Sequence, residues 1–149
     1  MKITKADTND IAELYALQLL AFETEAAMIG SREVPALQET EAENAADFAN
    51  WTVLKLETDE GRIVGAVRYK KADNIIDVGQ LMTHPDYRHQ GLAKKLLQAV
   101  DATCPNEIKE LYTCTKSWTN ILLYKKMGYE AYKEEPGDRG LSFVYMRKK

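Results

Sequence analysis

The segment from Ile75 to Val100 combines a basic side chain, a glycine and a helix start in an order that can bind anions. An apolar, strand-like run ends near Met82, and a Pro-containing turn leads through Arg88 and Gly91 into a helical pattern of leucines. The first N–H groups of a helix have no partner inside the helix, and the helix dipole places partial positive charge where they point. Gly91 lets an anion approach the backbone because it has no Cβ. The segment therefore predicts a binding site for phosphate groups.

Two common phosphate-binding loops do not fit this segment. The nucleotide P-loop needs a second glycine and a Lys-Ser/Thr pair, and the dinucleotide-binding fold needs G-x-G-x-x-G. The pattern that remains resembles motif A of the GNAT family of N-acetyltransferases, R/Q-x-x-G-x-G/A, and reads Arg88-His89-Gln90-Gly91-Leu92-Ala93. The resemblance implies that these residues bind the pyrophosphate of coenzyme A. A plain strand–turn–helix connection is the alternative interpretation.

A second segment, 117–129, resembles motif B of the same family, which ends in L-Y-x-x-x-G-F/Y. The family tyrosine corresponds to Tyr124, and the resemblance implies that Tyr124 protonates the departing thiolate. Free thiols and phenols have pKa values of about 8.5 and about 10, so a phenol can donate this proton at neutral pH. A ring that only packs on the cofactor or core is the alternative. Ser117 and Asn120 depart from the family pattern, and Asn120 either bonds the cofactor or is an exposed helix residue.

A parallel pair of strands is expected to position these two segments. The strands Ile75–Thr83 and Glu110–Thr115 should be neighbours that separate at their C-terminal ends, where open α/β sheets bind ligands. The backbone groups left unpaired at Leu81, Met82 and Thr83 can then bind the pantetheine arm as a substitute strand. The resemblance implies that the N–H of Met82 stabilises the oxyanion while an amine attacks the thioester directly, without a covalent acyl-enzyme.

Two carboxylates are candidates for the general base. A lysine-like amine has a pKa of about 10.4 and must lose a proton before it attacks. Asp77 lies on the motif A strand, and Glu25 lies late in the first predicted helix. A solvated acid at a strand edge and an exposed helix residue are the respective alternatives. Residues around Glu25 and Gln38 also resemble the substrate-pocket walls of a small bacterial acetyltransferase subgroup, which implies that both bind the substrate.

Composition and charge narrow the class of protein. The chain has 149 residues, which suits one acyltransferase domain over residues 1–149, and its net charge of −3 disfavours nucleic acid as a partner. Residues 1–60 hold four basic and 13 acidic side chains, whereas residues 61–149 hold 16 basic and ten acidic ones. This asymmetry suits a cationic amine and an anionic cofactor, or is merely solvated surface.

The sequence shows no stretch of membrane-spanning length and no apolar signal-peptide core, so we expect no membrane partner and a cytoplasmic location. The two cysteines, Cys104 and Cys114, are expected to be free thiols. The two histidines flank the motif A loop without metal-ligand spacing, and no metal is expected.

The chain reads as a continuous α/β order, β-α-α-β-β-β-α-β-α-β-β, which is the order of the acetyltransferase family. This order predicts the GNAT fold, a mixed sheet of about seven strands splayed between strands 4 and 5, with about four helices on both faces. We expect strands at 1–6, 51–57, 63–71, 75–83, 110–115, 129–134 and 141–147. We expect helices from Asp7 or Thr8 to about 27, from Thr40 to about 50, at 91–103 and at 118–127. A loop is expected at 32–38 and a hairpin turn at 136–140.

The predicted activity is transfer of an acetyl group from acetyl-CoA to a primary amine, on a small molecule or on a peptide or protein. A non-catalytic acyl-CoA-binding sensor is the alternative. The predicted terminal hairpin presents an edge strand that could pair with a second copy, so both a monomer and a homodimer are compatible with the sequence.

Overall fold

A seven-stranded mixed sheet forms the centre of the computed structural model, which describes residues 1–137 and 140–149. The strand order is β1-β2-β3-β4-β5-β7-β6, and of these neighbours only β4 and β5 run parallel. The strands are β1 (Lys2–Lys5), β2 (Thr52–Glu57), β3 (Ile63–Ala72), β4 (Ile75–Thr83), β5 (Ile108–Cys114), β6 (Glu130–Pro136) and β7 (Ser142–Lys148).

The described residues form five α-helices, one more than the four or so predicted. The additional helix covers 35–38, inside a segment predicted as a loop. It begins at Pro35, whose fixed φ and missing N–H suit the first position of a helix, and a single turn is too short to show a helical period. The helices are α1 (Ile11–Ile29), α2 (Pro35–Gln38), α3 (Glu41–Asp47), α4 (Leu92–Thr103) and α5 (Trp118–Lys126).

Local signals fix most of the element ends where they were predicted. A capping box starts α3, because the Glu43 N–H donates to Thr40 Oγ1 at 3.1 Å and the Thr40 N–H donates to Glu43 Oε1 at 2.9 Å. Asp7 caps the short 3₁₀ turn that precedes α1. Gly30, with φ 81°, ends α1 in the left-handed conformation. These ends are set by residues adjacent in sequence, which is why the sequence predicts them.

Three hairpins join consecutive antiparallel strands of the described sheet: β2 with β3, β3 with β4, and β6 with β7. Asp73 and Asn74 link β3 to β4 with φ 51° and 67°, as a tight hairpin turn requires. Strands β6 and β7 form the terminal antiparallel pair. The turn predicted at 136–140 includes residues 138 and 139, which lie outside the described residues.

Helices cover both faces of the sheet. Helices α4 and α5 contribute to one buried apolar cluster, which includes Val67 of β3. Helix α1 contributes to a second cluster, which includes the adjacent residue Ala66. Neighbouring residues of a strand point to opposite faces, so the two clusters lie on the two sides of the sheet. Gly65 allows α4 to pack closely, since a Cβ there would lie 3.1 Å from Leu96 Cδ1.

Strands β4 and β5 separate as predicted. They pair only at 75–77 of β4 and 108–110 of β5, and the last pair is Asp77 with Glu110. Beyond it β4 pairs with β3 alone and β5 with β7 alone. The register of β3 against β4 also shifts, so that Gln80 and Leu81 of β4 face one residue of β3, and Gln80 has φ 44°. The splay and this bulge open a cleft beside the C-terminal half of β4.

Candidate active site

Two cavities open into the splay. The first, here the loop cavity, has a volume of about 470 Å³ and is lined by the motif A loop and the start of α4. The second, here the sheet cavity, has a volume of about 520 Å³ and is lined mainly by β3, β4, β5 and β7. Four residues line both cavities, and they mark the junction where two ligands could meet: Phe22, Glu25, Leu81 and Asn120.

The start of α4 presents free amides to the loop cavity. Gly91 precedes the helix with φ 72°, and no side chain caps this end. His89 also has a positive φ, 64°, so the loop adopts left-handed conformations at two nearby positions. A Cβ at Gly91 would meet nothing within 4 Å, so the space above this glycine is open. Uncapped amides beside an open space can bind a phosphate group.

Arg88 holds the motif A loop against the rest of the cleft. Its Nη2 donates to the carbonyl oxygens of Ala21 on α1, at 3.2 Å, and of Thr83 on β4, at 3.4 Å. Burial lowers the pKa of its guanidinium, but an arginine remains protonated. Its Nε is buried and makes no hydrogen bond within the part of the chain that the structure describes. Arg88 therefore places a positive charge beneath the loop and ties three elements together.

The backbone of β4 offers groups to the cleft at alternate residues. The His84 N–H donates to the Val64 carbonyl at 2.8 Å, so these two residues form a hydrogen-bonded pair of the antiparallel ladder. Hydrogen-bonded pairs recur at every second residue, and Met82 with Ala66 is the next one. This alternation turns the Met82 N–H toward β3 and the backbone groups of Thr83 toward the cleft. Residues 81–83 contribute to the lining of the loop cavity.

Tyr124 on α5 is buried and lines the sheet cavity close to the junction. Burial raises the pKa of its phenol well above the usual value, and the charges of Glu25 and Tyr129 raise it further. The phenol is therefore protonated throughout the neutral range. The ring packs edge-on against Tyr129, with centroids 6.0 Å apart, which fixes its orientation.

Glu25 lies at the junction itself. Burial raises the pKa of its carboxyl, and the hydroxyl groups of Ser117 and Thr113 beside it oppose this shift. Ser117 is fully buried, and its Oγ has no hydrogen bond of ordinary geometry among the described residues. A half-buried carboxyl with a raised pKa, next to a hydroxyl with spare bonding capacity, is suited to exchange a proton with a ligand.

Asp77 lies farther from the junction, at the point where β4 and β5 begin to separate. It lines the sheet cavity but not the loop cavity. Burial raises the pKa of its carboxyl, the neighbouring charge of Glu110 raises it further, and Lys70 opposes the shift. The structure thus places the two base candidates at different ends of the sheet cavity.

The remaining candidates differ in position. Asn120 lines both cavities. Gln38 is exposed, and its Nε2 donates to the Arg32 carbonyl at 2.8 Å. The described residues that line the two cavities include neither Gln38 nor Gln90.

Sequence reasoning missed several residues of the sheet cavity, among them Trp51, Arg68 and Lys70. Arg68 and Lys70 recur at the strand period of two, which places both on one face of β3 and is the signal that could have found them. The wall that faces them is fixed by Glu39, whose Oε1 accepts hydrogen bonds at 2.9 Å from both Gln18 Nε2 and Asn44 Nδ2. This network joins α1, α2 and α3 beside the cavity.

Two other properties concern the described residues as a whole. No group of three or more His, Cys, Asp or Glu side chains among them could hold a metal ion. No helix in 1–137 or 140–149 is both long enough and apolar enough to cross a membrane.

The topology, the splay and the motif A loop define a class of protein. Residues 22–149 match the family model described as an acetyltransferase (GNAT) domain. The chain therefore belongs to the GNAT acetyltransferase family.

Proteins similar to this chain in sequence or in fold come from several organisms. A curated relative, the UPF0157 protein YqkA of Bacillus subtilis, is 26% identical over 130 residues, and the match spans 87% of this chain but only 37% of that protein. The PaiA N-acetyltransferase of Thermoplasma acidophilum, solved in complex with coenzyme A, superposes with a TM-score of 0.81 at 19% identity over 99% of this chain and 98% of that one. The ribosomal-protein-S18-alanine N-acetyltransferase of Escherichia coli superposes with a TM-score of 0.80 at 17% identity over 99% and 92%.

Proposed function

We propose that this protein is an acetyl-CoA-dependent N-acetyltransferase that acetylates a primary amine in a ternary complex. The observation that carries the proposal is the junction of the two cavities, where Glu25 and Asn120 line both and Tyr124 lies beside them. The loop cavity is lined by the start of α4, whose uncapped N–H groups can bind a diphosphate. The sheet cavity is large enough for a small acceptor. The two ligands would meet at groups that can take up and release protons.

The loop cavity fits coenzyme A. The uncapped amides of α4 and the open space above Gly91 would bind its pyrophosphate, with the charge of Arg88 behind them. The cleft-facing backbone groups of β4 near Thr83 would pair with the amides of the pantetheine arm. When bound, the thioester supplies an acyl group that is activated toward nucleophiles.

Glu25 is the proposed general base. It lies at the junction, whereas Asp77 lies at the far end of the sheet cavity, and the raised pKa brings its carboxyl closer to the range in which it can accept a proton from an ammonium group. The Ser117 hydroxyl lies beside Glu25 and can stabilise its carboxylate before it accepts the proton. In this assignment Asp77 contributes to the acceptor side only.

Tyr124 is the proposed general acid. Its phenol is buried, protonated at neutral pH and oriented by Tyr129, so it can donate a proton to the sulfur of the departing thiolate.

The β4 bulge supplies the oxyanion donor in this mechanism. A bulge leaves one residue without a ladder partner, and Leu81 in the bulge lines both cavities. We assign the oxyanion to the Leu81 N–H in place of the Met82 N–H, which points toward β3.

The acceptor is a primary amine on a small molecule or on a peptide. The E. coli neighbour, as its name states, acetylates an alanine of a ribosomal protein, and the sheet cavity of about 520 Å³ suits an acceptor of a few heavy atoms or a chain terminus.

Release of coenzyme A thiol, measured with acetyl-CoA and a panel of primary amines, tests the proposal. We expect amine-dependent thiol release by the purified chain and loss of that release in Glu25→Gln. Calorimetry with coenzyme A serves as the binding control and should give the same affinity in both proteins. A chain that binds coenzyme A but releases no thiol with any amine would be an acyl-CoA sensor, and a chain that gives no heat with coenzyme A would refute both functions.

A further inference from the structure

Two cationic side chains form part of the floor of the sheet cavity. Arg68 and Lys70 are two residues apart on β3, so both side chains project from the same face of the sheet. Both contact the indole of Trp51, with Arg68 Cζ 4.1 Å and Lys70 Nζ 4.3 Å from the ring centroid. The aromatic face holds the two charges together on the side of the cavity away from the motif A loop.

The hydrogen-bonding capacity of Arg68 is only partly used. Its Nη1 donates to Asp47 Oδ2 at 3.3 Å, and the same oxygen accepts the Trp51 Nε1–H at 3.0 Å. The Nε of Arg68 is buried and has no hydrogen-bond partner within residues 1–137 and 140–149. Lys70 makes no ion pair with the described residues. A buried guanidinium donor without a partner is costly unless a ligand satisfies it.

The backbone leaves room beside this unused donor. Gly79 of β4 faces Arg68 in the register of β3 and β4 and also lines the sheet cavity. A Cβ at this position would lie 3.5 Å from Arg68 Nε and 3.6 Å from Trp51 Cη2. The absence of a side chain at Gly79 keeps this space available to a ligand atom.

The nearby acids are already engaged, with one exception. Glu110 Oε1 accepts hydrogen bonds from Arg147 Nε, at 3.1 Å, and from the Tyr132 hydroxyl. Glu39 accepts from the side-chain amides of the α1–α3 network described above. Asp77 is the exception, and burial together with Glu110 raises its pKa, which opposes a full negative charge. The guanidinium of Arg68 and the ammonium of Lys70 therefore keep unused hydrogen-bond donors at this end of the cavity, although Asp47 pairs with one nitrogen of Arg68.

We propose that the acceptor is an amino acid-like molecule whose carboxylate binds the guanidinium of Arg68 and the ammonium of Lys70 while its amine lies at Glu25. This inference rests on the proposed function and specifies its substrate class. Gly79, opposite Arg68, is two residues before Leu81 on β4, which corresponds to roughly 7 Å along an extended strand. The bulge shortens this path. A small ω-amino acid can span it with its carboxylate at one end and its amine at the other.

Matched acceptors test the charge requirement directly. Thiol release is measured with ω-amino acids of increasing length, with n-alkylamines of the same length, and with the corresponding diamines. We expect kcat/KM for the best amino acid to exceed that of its alkylamine by about tenfold to a hundredfold, as charge-assisted hydrogen bonds to a carboxylate allow. Equal turnover of the alkylamine, or preference for the diamine, overturns the inference but leaves the N-acetyltransferase function in place.

A pair of variants locates the effect at Arg68. Arg68→Gln should raise KM for the amino acid by about tenfold or more and change turnover of the alkylamine less than about twofold. Lys71→Gln is the matched control, because it removes the same charge from the same strand, but Lys71 is exposed and pairs with Glu107 at 3.8 Å. Lys70→Gln provides a second variant if Arg68→Gln folds poorly. Equal losses for the two acceptors in both cavity variants would contradict the assignment.

A binding measurement keeps the inference testable without turnover. In a Trp118→Phe background, Trp51 is the remaining tryptophan, and its emission should change on titration with the amino acid but not with the alkylamine. The change should disappear in Arg68→Gln and persist in Lys71→Gln. If no amine is acetylated, the proposed function fails while this titration still decides whether the floor binds a carboxylate. Absence of any emission change in the Trp118→Phe protein would refute the inference.

Discussion

Glu25 on α1 and Tyr124 on α5 lie close enough for the charge of Glu25 to raise the pKa of the Tyr124 phenol. Each side chain is held by its own surroundings, Glu25 by the hydroxyls of Ser117 and Thr113 and Tyr124 by the ring of Tyr129. A group that accepts a proton and a group that donates one thus share the junction of the two cavities. The coupling also means that a change at Glu25 alters the titration of Tyr124.

Removal of the Tyr124 hydroxyl should slow the reaction without weakening cofactor binding. Tyr124→Phe keeps the ring that packs in the core, so we expect a rate loss of about a hundredfold at neutral pH, as for the loss of a general acid. Stopped-flow thiol release gives the rate and calorimetry gives the affinity for coenzyme A. Tyr129→Phe is the control, because the Tyr129 hydroxyl is buried without a partner in the described structure and its removal should be neutral or stabilising. Undiminished turnover in Tyr124→Phe would remove the acid role.

The rate should depend on pH through Glu25. A base acts in its deprotonated form, so the rate should rise as pH increases through the pKa of Glu25, which burial raises above 4.5. Glu25→Gln should lower the rate and abolish this acidic limb of the profile. Asp77→Asn is the comparison, and we expect it to retain the limb. A limb that persists in Glu25→Gln and disappears in Asp77→Asn would transfer the base role to Asp77.

The sequence predicts those parts of the molecule that adjacent residues determine. The helix start at Thr40 and the splay of β4 from β5 are confirmed. The helix at 35–38 was missed because it is a single turn. Arg68 and Lys70 in the floor of the sheet cavity were missed. The position of Arg68 in the cavity depends on the register of β3 and on contact with Trp51, which lies 17 positions earlier in the chain. The spacing of Arg68 and Lys70 indicates that they share one face of β3, but which cavity that face lines depends on tertiary packing.

The same Glu25→Gln change should stabilise the fold at neutral pH. The pKa of Glu25 is higher in the folded chain than its usual value of 4.5, so the folded state binds the proton more tightly and loses stability as pH rises through the interval between the two values. A neutral glutamine does not incur this loss. Thermal unfolding at pH 7.5 should show a higher Tm for Glu25→Gln, and the difference should shrink at pH 4. Glu23→Gln, at an exposed position on the same helix, should show no comparable gain, and a lower Tm for Glu25→Gln at pH 7.5 would contradict the prediction.

Cofactor binding should be sensitive to a single methyl group at the start of α4. Gly91 has φ 72°, so an alanine there costs about 1–2 kcal/mol of backbone strain and places a Cβ in the open space above the helix amides. Gly30→Ala is a matched control, because Gly30 has φ 81°, its Cβ would also meet nothing within 4 Å, and it lies at the end of α1. Both variants should lose similar thermal stability, whereas only Gly91→Ala should weaken binding of coenzyme A in calorimetry, by about tenfold or more. Equal affinity in the two variants would show that the diphosphate does not lie against the amides of α4.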